Sequence, residues 1–417
     1  MFMTAGHAVH ASLLLLVAAA TLLFASHDFA LKGEFDRATY WSGPTPSADG
    51  LALEKAFLQA TAKNKLEFLY MTSAILPAIV TGYELKLFQI LAEADLSFDE
   101  VQVALNISER SAEALLVTLV GSNIIEQNQV TGRLSLSDVY MLSNNGRILS
   151  LLFKFFFQKQ FFYYTESTVA DEPIGLRKAF NTDAHDLYAF RSSDPKLASI
   201  WDPAMDIFNG NIERDLQIIF DRMGETIHVL DVCGNEGNNA MRIARVHPHA
   251  KFTVADLPGQ VQRAAQNFMK AGLADRIDTT PVDWLKPSES HLGNEIAEGV
   301  YMLHAVSIFN YAQLDTIFRA VMTALRPGGI FMFDTVTVLP KGKFRSDYIN
   351  VMDVYFVSSA TSTHRAKYLD ELRPLLIKIG FQSIELAAQG QIVSENDPSL
   401  SNFDSFMWRQ LYLIAKK

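Results

Sequence analysis

HVLDVCGNEGNNA, residues 228–240, is the stretch from which the fold of this 417-residue chain is read. HVLDV is a short apolar, β-branched run and predicts a strand. CGNEG puts two glycines into five residues and predicts a turn, after which NNA opens a helical segment. A strand holding an acid (Asp231), a glycine-containing turn and a helix make the layout of a nucleotide-type site, with Gly234 and Gly237 letting backbone approach a ligand. Asp256 stands nineteen residues after Gly237, at the end of the next predicted strand. An acid there accepts both hydrogen bonds of a ribose diol. The same pieces also suit an ordinary strand–turn–helix unit with a helix-capping Asp.

Outward from that loop, KFTVADL (251–257), GVYMLHAV (299–306) and GIFMFDTV (329–336) are further β-rich runs. Helical patterns over 260–271 and 311–325 separate them. Apolar strands alternating with helices predict an α/β fold with a doubly wound, Rossmann-like parallel sheet, which binds ligands at the carboxyl ends of its strands.

The half of the chain before residue 226 is mainly helical in pattern. Residues 51–91 carry apolar residues at three- and four-residue spacing, divided into two helices by Pro77. Residues 96–137 read as helix, turn, helix and short hairpin, with Ser108 as an N-cap and Thr131-Gly132 as the hairpin turn. That order is the winged-helix pattern. A DNA-reading helix would carry several basic or amide side chains, but the helix after Ser108 has Arg110 alone, beside Glu109 and Glu113. A structural or dimerising role is the reading. Residues 149–165 (LSLLFKFFFQKQFFYYT) predict a core-facing helix, part of which could line a pocket for a flat ligand. Ser-Asp-Pro at 193–195 marks another helix start.

Composition narrows the function. Lys and Arg total 36 against 46 Asp and Glu, a net charge of −10, which disfavours nucleic acid as a partner. The single cysteine, Cys233, excludes a disulfide framework, and no histidine spacing suggests a metal centre. Residues 12–25 (SLLLLVAAATLLFA) are short for a membrane span and suit a signal peptide, an anchor or a packed helix. The expected location is the cytoplasm or, if they anchor the chain, the cytosolic face of a membrane, with a signal peptide left open. The predicted organisation is therefore a hydrophobic segment and linker over 1–50, a winged-helix dimerisation domain over 51–150, a helical connector contributing to a substrate pocket over 151–225, and a Rossmann-like ligand-binding domain over 226–417.

Three stretches in combination, VLDVCGNEG (229–237), VADLPGQVQ (254–262) and RPGGIFMFD (326–334), resemble the class I S-adenosylmethionine-dependent O-methyltransferases that carry an N-terminal winged-helix dimerisation domain. The resemblance runs from about residue 52 to 417. It implies a homodimer that methylates a hydroxyl of an aromatic or polyketide-like small molecule in secondary metabolism, with S-adenosyl-L-methionine as cofactor. It implies that Asp231 and Gly234 face the methionine part of the cofactor, that Asp256 and Leu257 hold the ribose and the adenine edge, that Asp283 and Trp284 flank adenine, and that Met205 faces the substrate. Two departures stand out. Cys233 and Asn235 replace glycines of the family loop. The position of the family's catalytic histidine, counted back from Pro327-Gly328-Gly329, falls on Ser307, which cannot act as a general base near neutral pH. His304, three residues earlier, could stand in, with Asp334 and Glu371 matching the family's supporting acids. Some members of the family have lost methyl transfer and carry out hydroxylation, decarboxylation or rearrangement in the same pocket, or only bind a ligand, so that outcome is the alternative.

Overall fold

A computed structural model describes residues 73–137, 139–209, 212–284, 291–334, 336–337, 356–359, 367–395 and 411–417. Two compact units divide close to the bond between Gln158 and Lys159. Residues 12–25 and the linker after them lie outside the described residues.

The first unit contains α1 (Ile75–Glu84), α2 (Leu87–Glu93), α3 (Phe98–Leu105), α4 (Glu109–Gly121), the antiparallel pair β1 (Ile125–Gln127) and β2 (Leu134–Leu136), and α5 (Asn144–Leu152). Pro77 sits in the first turn of α1, where no intrahelical N–H is lost, and α1 and α2 part at Lys86, which takes φ 61°; residues 51–72, on the other side of the division expected at Pro77, lie outside the described residues. Ser97 and Glu100 form a reciprocal capping box on α3, and Ser108 caps α4 as its sequence predicts. The hairpin turns through Gly132 at φ 71°, while Asn128 Oδ1 accepts the N–H groups of Val130 and Thr131. Leu87, Phe88, Val101, Leu116, Leu119, Ile125 and Leu134 close one core between helices and hairpin. After α5 the aromatic stretch continues as a π-helical turn, Phe153–Gln158, with Phe156 and Phe157 buried.

The second unit begins with α6 (Tyr164–Ala170), α7 (Ile174–Phe180), α8 (Leu187–Ser193), α9 (Pro195–Phe208) and α10 (Ile212–Met223). Asp194 caps α9 through bonds from Lys196 N and Leu197 N, with Pro195 in the first position, the arrangement that Ser-Asp-Pro predicts. An alternating run follows: β3 (His228–Val232), α11 (Asn238–Val246), β4 (Lys251–Asp256), α12 (Pro258–Ala271), β5 (Ile277–Pro281), β6 (Ala297–Met302), α13 (Tyr311–Ala324), β7 (Leu325–Phe333), α14 (Leu369–Ile379), β8 (Ser383–Ala388), β9 (Gln391–Val393) and β10 (Leu411–Lys416). The sheet order is β9-β8-β10-β7-β6-β3-β4-β5, with the five strands from β7 to β5 parallel and β8, β9 and β10 joined antiparallel. The sheet is thus mixed, because the chain ends in an antiparallel hairpin-like edge beyond the predicted parallel core.

Both faces of the sheet are covered, which is why its central strands read as unbroken apolar runs. Phe318, Phe331 and Phe333 pack on one face with centroids 4.8–5.2 Å apart. On the other, Leu216, Ile219 and Phe220 of α10 share a core with Val229, Phe252 and Phe268. That packing joins 159–225, most of the connector predicted over 151–225, to the same unit as the sheet. The chain leaves β3 in one direction to β4 and returns on its other side at β6, so the carboxyl end of β3 is the topological switch point where a crevice opens. Among the described residues no single helix is long and apolar enough to cross a membrane, and no cluster of three or more His, Cys, Asp or Glu is placed to hold a metal ion.

Candidate active site

A concave pocket occupies that crevice, and successive strand ends build its wall. Asp231, Cys233, Gly234, Asn235 and Glu236 follow from β3; Asp256 and Leu257 from β4; Val282, Asp283 and Trp284 from β5; Leu303, His304, Ala305, Ile308 and Phe309 from β6. The opposite wall is α8–α9, with Tyr188, Arg191, Trp201, Met205, Asp206 and Asn209.

The loop after β3 turns sharply. Cys233 and Asn235 both take left-handed backbone, at φ 63° and 53°. This explains why glycine is the family's choice there: a left-handed residue with a Cβ costs roughly 1–2 kcal/mol, least for Asn. Asn235 gains compensating bonds. Its backbone N–H donates to Asp256 Oδ2 at 2.7 Å, its side-chain amide donates to Asp202 Oδ1 at 3.0 Å, and its Oδ1 accepts from Gln260. The Cys233 thiol is pushed well up by burial, so it is a packed thiol rather than a reactive thiolate.

The two loop glycines have different reasons. At Gly234 a Cβ would stand 2.5 Å from Asp231 Cγ, so its absence makes room for that carboxylate at the pocket floor. Gly237 is not among the pocket-lining residues; it takes φ 76°, and a Cβ there would meet Phe268 at 2.3 Å. Close packing of α12 against the loop, rather than approach to a ligand, requires this glycine.

Asp256 holds Leu257 N at 2.6 Å on Oδ1 and Asn235 N on Oδ2. Each oxygen keeps a second lone pair for a diol hydroxyl. Burial raises this carboxyl, and the two backbone donors work against the rise. Asp231 is 2% exposed, its Oδ2 has no hydrogen-bond partner among the described residues, and burial pushes it up to about 7. An orphaned acid at the floor and a two-oxygen acid at the rim are the donor set that a nucleoside bearing an amino-acid tail would satisfy.

His304 follows β6 in left-handed backbone, φ 53°, so it is neither in the strand nor on a helix as its sequence context suggests. Asp334, at the end of the adjacent β7, fixes it twice. Oδ1 accepts the His304 backbone N–H at 2.6 Å, and Oδ2 lies 3.1 Å from Nδ1, an ion-pair contact off the best hydrogen-bond line. Asp334 is fully buried, and His304 forms pocket wall.

The other predicted catalytic residues fall elsewhere. Ser307 is 2% exposed in the short 3₁₀ turn Val306–Ile308 and is not among the lining residues; its carbonyl accepts from the buried Lys367 Nζ at 3.0 Å. Glu371, in the first turn of α14, accepts the Tyr311 hydroxyl and does not line the pocket. Met205 does line it. With it come Trp201 and Asp206 on α9 and Asn209 at that helix's C-cap, none of which the sequence reading singled out. The one available signal was the mixed polar and apolar character of that face. No residue of 149–165 is among those lining the pocket.

The class of protein follows from this strand order, the crevice at the switch point and the acids at the carboxyl ends of β3 and β4: an α/β enzyme of methyltransferase fold. The O-methyltransferase domain family matches over residues 163–382, and the chain belongs to it. The chain is 33% identical over 141 residues to aclacinomycin 10-hydroxylase of Streptomyces purpurascens, covering 33% of this chain but only 36% of that protein. It is 27% identical over 278 residues to 3-hydroxy-5-methyl-1-naphthoate 3-O-methyltransferase of Streptomyces sahachiroi, covering 65% and 75%. Human N-acetylserotonin methyltransferase in complex with S-adenosylmethionine superposes with a TM-score of 0.64 at 16% identity, over 86% of this chain and 99% of that one. The cofactor that goes with this family and fold is S-adenosylmethionine, and Asp231, Gly234 and Asp256 fit it.

Proposed function

We propose that this chain is an S-adenosylmethionine-dependent methyltransferase acting on a hydroxyl oxygen of an aromatic or polyketide-like small molecule, with His304 as general base and Asp334 as its positioning residue. The observation that carries the oxygen target is the His304–Asp334 pair at the pocket wall. A neutral amine attacks with its own lone pair, whereas a phenolic hydroxyl must lose a proton, and a positioned histidine takes it.

S-adenosylmethionine, when bound, supplies an electrophilic methyl group on a sulfonium. The chain's residues do the rest. Asp256 and Leu257 would hold the ribose and adenine edge, Asp283 and Trp284 the adenine, and Asp231 and Gly234 the methionine end. Trp201, Met205, Ile308 and Phe309 present apolar surface that excludes water and sets the acceptor oxygen in line. Asp334 turns Nδ1 towards itself, so Nε2 is the nitrogen that receives the hydroxyl proton. Ser307 takes no part.

The test is incubation of the purified chain with methyl-labelled cofactor and a panel of phenols and hydroxylated polyketides. Label recovered as an aryl methyl ether supports the proposal. Binding of cofactor without any methyl ether would sink it. One observation favours a second reading, that the pocket is kept for chemistry other than methyl transfer: a stretch of 141 residues is 33% identical to a hydroxylase. An unmethylated, rearranged or hydroxylated product would select that reading.

A further inference from the structure

Asp206 is a pocket acid that the mechanism above does not use. Its Oδ2 accepts a hydrogen bond from Asn238 Nδ2 at 2.8 Å, in the first turn of α11, where the loop after β3 enters its helix. The charged groups around it are Asp202, Glu236 and Arg242. Each is committed elsewhere: Asp202 to Arg191, Glu236 to Arg263 Nε, and Arg242 to Glu213 through bonds of 2.7 and 2.6 Å. A mostly buried carboxylate flanked by two further acids, with no cation of its own at ion-pair distance among the described residues, is costly unless a ligand brings the positive charge.

The neighbouring helix end says which ligand. Gly237 caps α11 without a side chain, so the N–H groups of its first turn are left for an anion such as a carboxylate. A carboxylate site and an ammonium site side by side fit the zwitterionic head of an amino acid. We propose that Asp206, held by Asn238, binds the α-ammonium of the cofactor's methionine head. Met205 and Asp206, adjacent on α9, then divide the labour between acceptor and cofactor. This assignment rests on the reading that the pocket takes S-adenosylmethionine.

Two nucleosides separate the possibilities. S-adenosylhomocysteine carries the amino-acid head; 5′-methylthioadenosine keeps the adenine, ribose and sulfur but lacks it. Calorimetric titration of both into the full chain and into Asp206→Asn should show S-adenosylhomocysteine weakened about tenfold or more by the substitution. The binding of 5′-methylthioadenosine should stay unchanged, which also reports that the variant is folded. Asn238→Ala should give a smaller loss of the same selectivity. Equal loss for both nucleosides would mean a structural role and overturn the proposal. No loss for either would overturn it too, and if the KM of an amine substrate rose instead, the ammonium would be the substrate's. If the wild type bound neither nucleoside, the cofactor reading itself would fail, and this assignment with it.

Discussion

Asp334→Asn separates positioning by shape from positioning by charge. The side chains are isosteric, and one oxygen must keep accepting the His304 N–H, now at 2.6 Å. The reverse orientation would set an NH₂ against that N–H, so the new amide nitrogen has to face Nδ1. It can only donate there, which makes Nδ1 the acceptor and places the ring proton on Nε2, facing the substrate. The histidine is then present, in place and unable to accept a proton. General-base catalysis contributes about 10²–10⁴-fold, so kcat for an ordinary phenol, with pKa near 10, should fall by at least about 10². Exchanging a charge-assisted bond to a left-handed backbone for a neutral one should cost roughly 1 kcal/mol of stability. The assay is methyl-ether formation at saturating cofactor with two phenols, one ordinary and one nitro-substituted and already ionised at neutral pH. The variant should lose most of its rate on the first and little on the second, with affinity for S-adenosylhomocysteine unchanged. An equal loss on both, or a loss below about twofold on the ordinary phenol, would refute His304 as the base.

Further predictions follow from the loop and its acids. Cys233→Gly removes a Cβ from left-handed backbone and should raise stability by about 1 kcal/mol in denaturant titration; a loss would show that the thiol packs better than its φ suggests. Gly234→Ala should lower stability by about 1–3 kcal/mol and weaken S-adenosylhomocysteine, because its methyl displaces Asp231; unaltered binding would place the ligand elsewhere. Asp256→Ala should cost about 1–3 kcal/mol of affinity for either nucleoside, since both carry the ribose, and unchanged affinity would mean the ribose is misplaced. Asp206 and Asp231 are raised by burial to about 6 and about 7, so folding favours their protonated forms. Their contribution to stability is therefore full below about pH 4 and is lost as pH rises through about 6 and 7, and Asp206→Asn should flatten the lower part of that fall in ligand-free protein. A profile with the same slope in the variant would contradict the burial of Asp206.

Much of the fold is visible in residue patterns, because β3, β4, β6 and β7 are buried on both faces and leave apolar runs that nothing else explains. Asp194-Pro195 and Ser108 announce their helices because a cap is a local interaction. What the sequence could not carry was direction. Counting back from Pro327 finds Ser307, but a 3₁₀ turn faces it away from the pocket, while left-handed backbone at residue 304 and the reach of Asp334 across β6–β7 bring His304 in. Gly237 carries the motif without touching the pocket, since its φ and Phe268 account for it. Glu371, expected as a supporting acid, accepts the Tyr311 hydroxyl instead. Asp206 and Asn209 escaped notice because a helix pressed across a crevice exposes one face to it, and nothing local distinguishes that face from a solvated one.

The most direct test is calorimetric titration of the full chain with S-adenosylhomocysteine. One saturable site per chain at micromolar ligand is the predicted result. No heat of binding up to millimolar ligand would mean that this pocket, for all its fold, does not serve the cofactor.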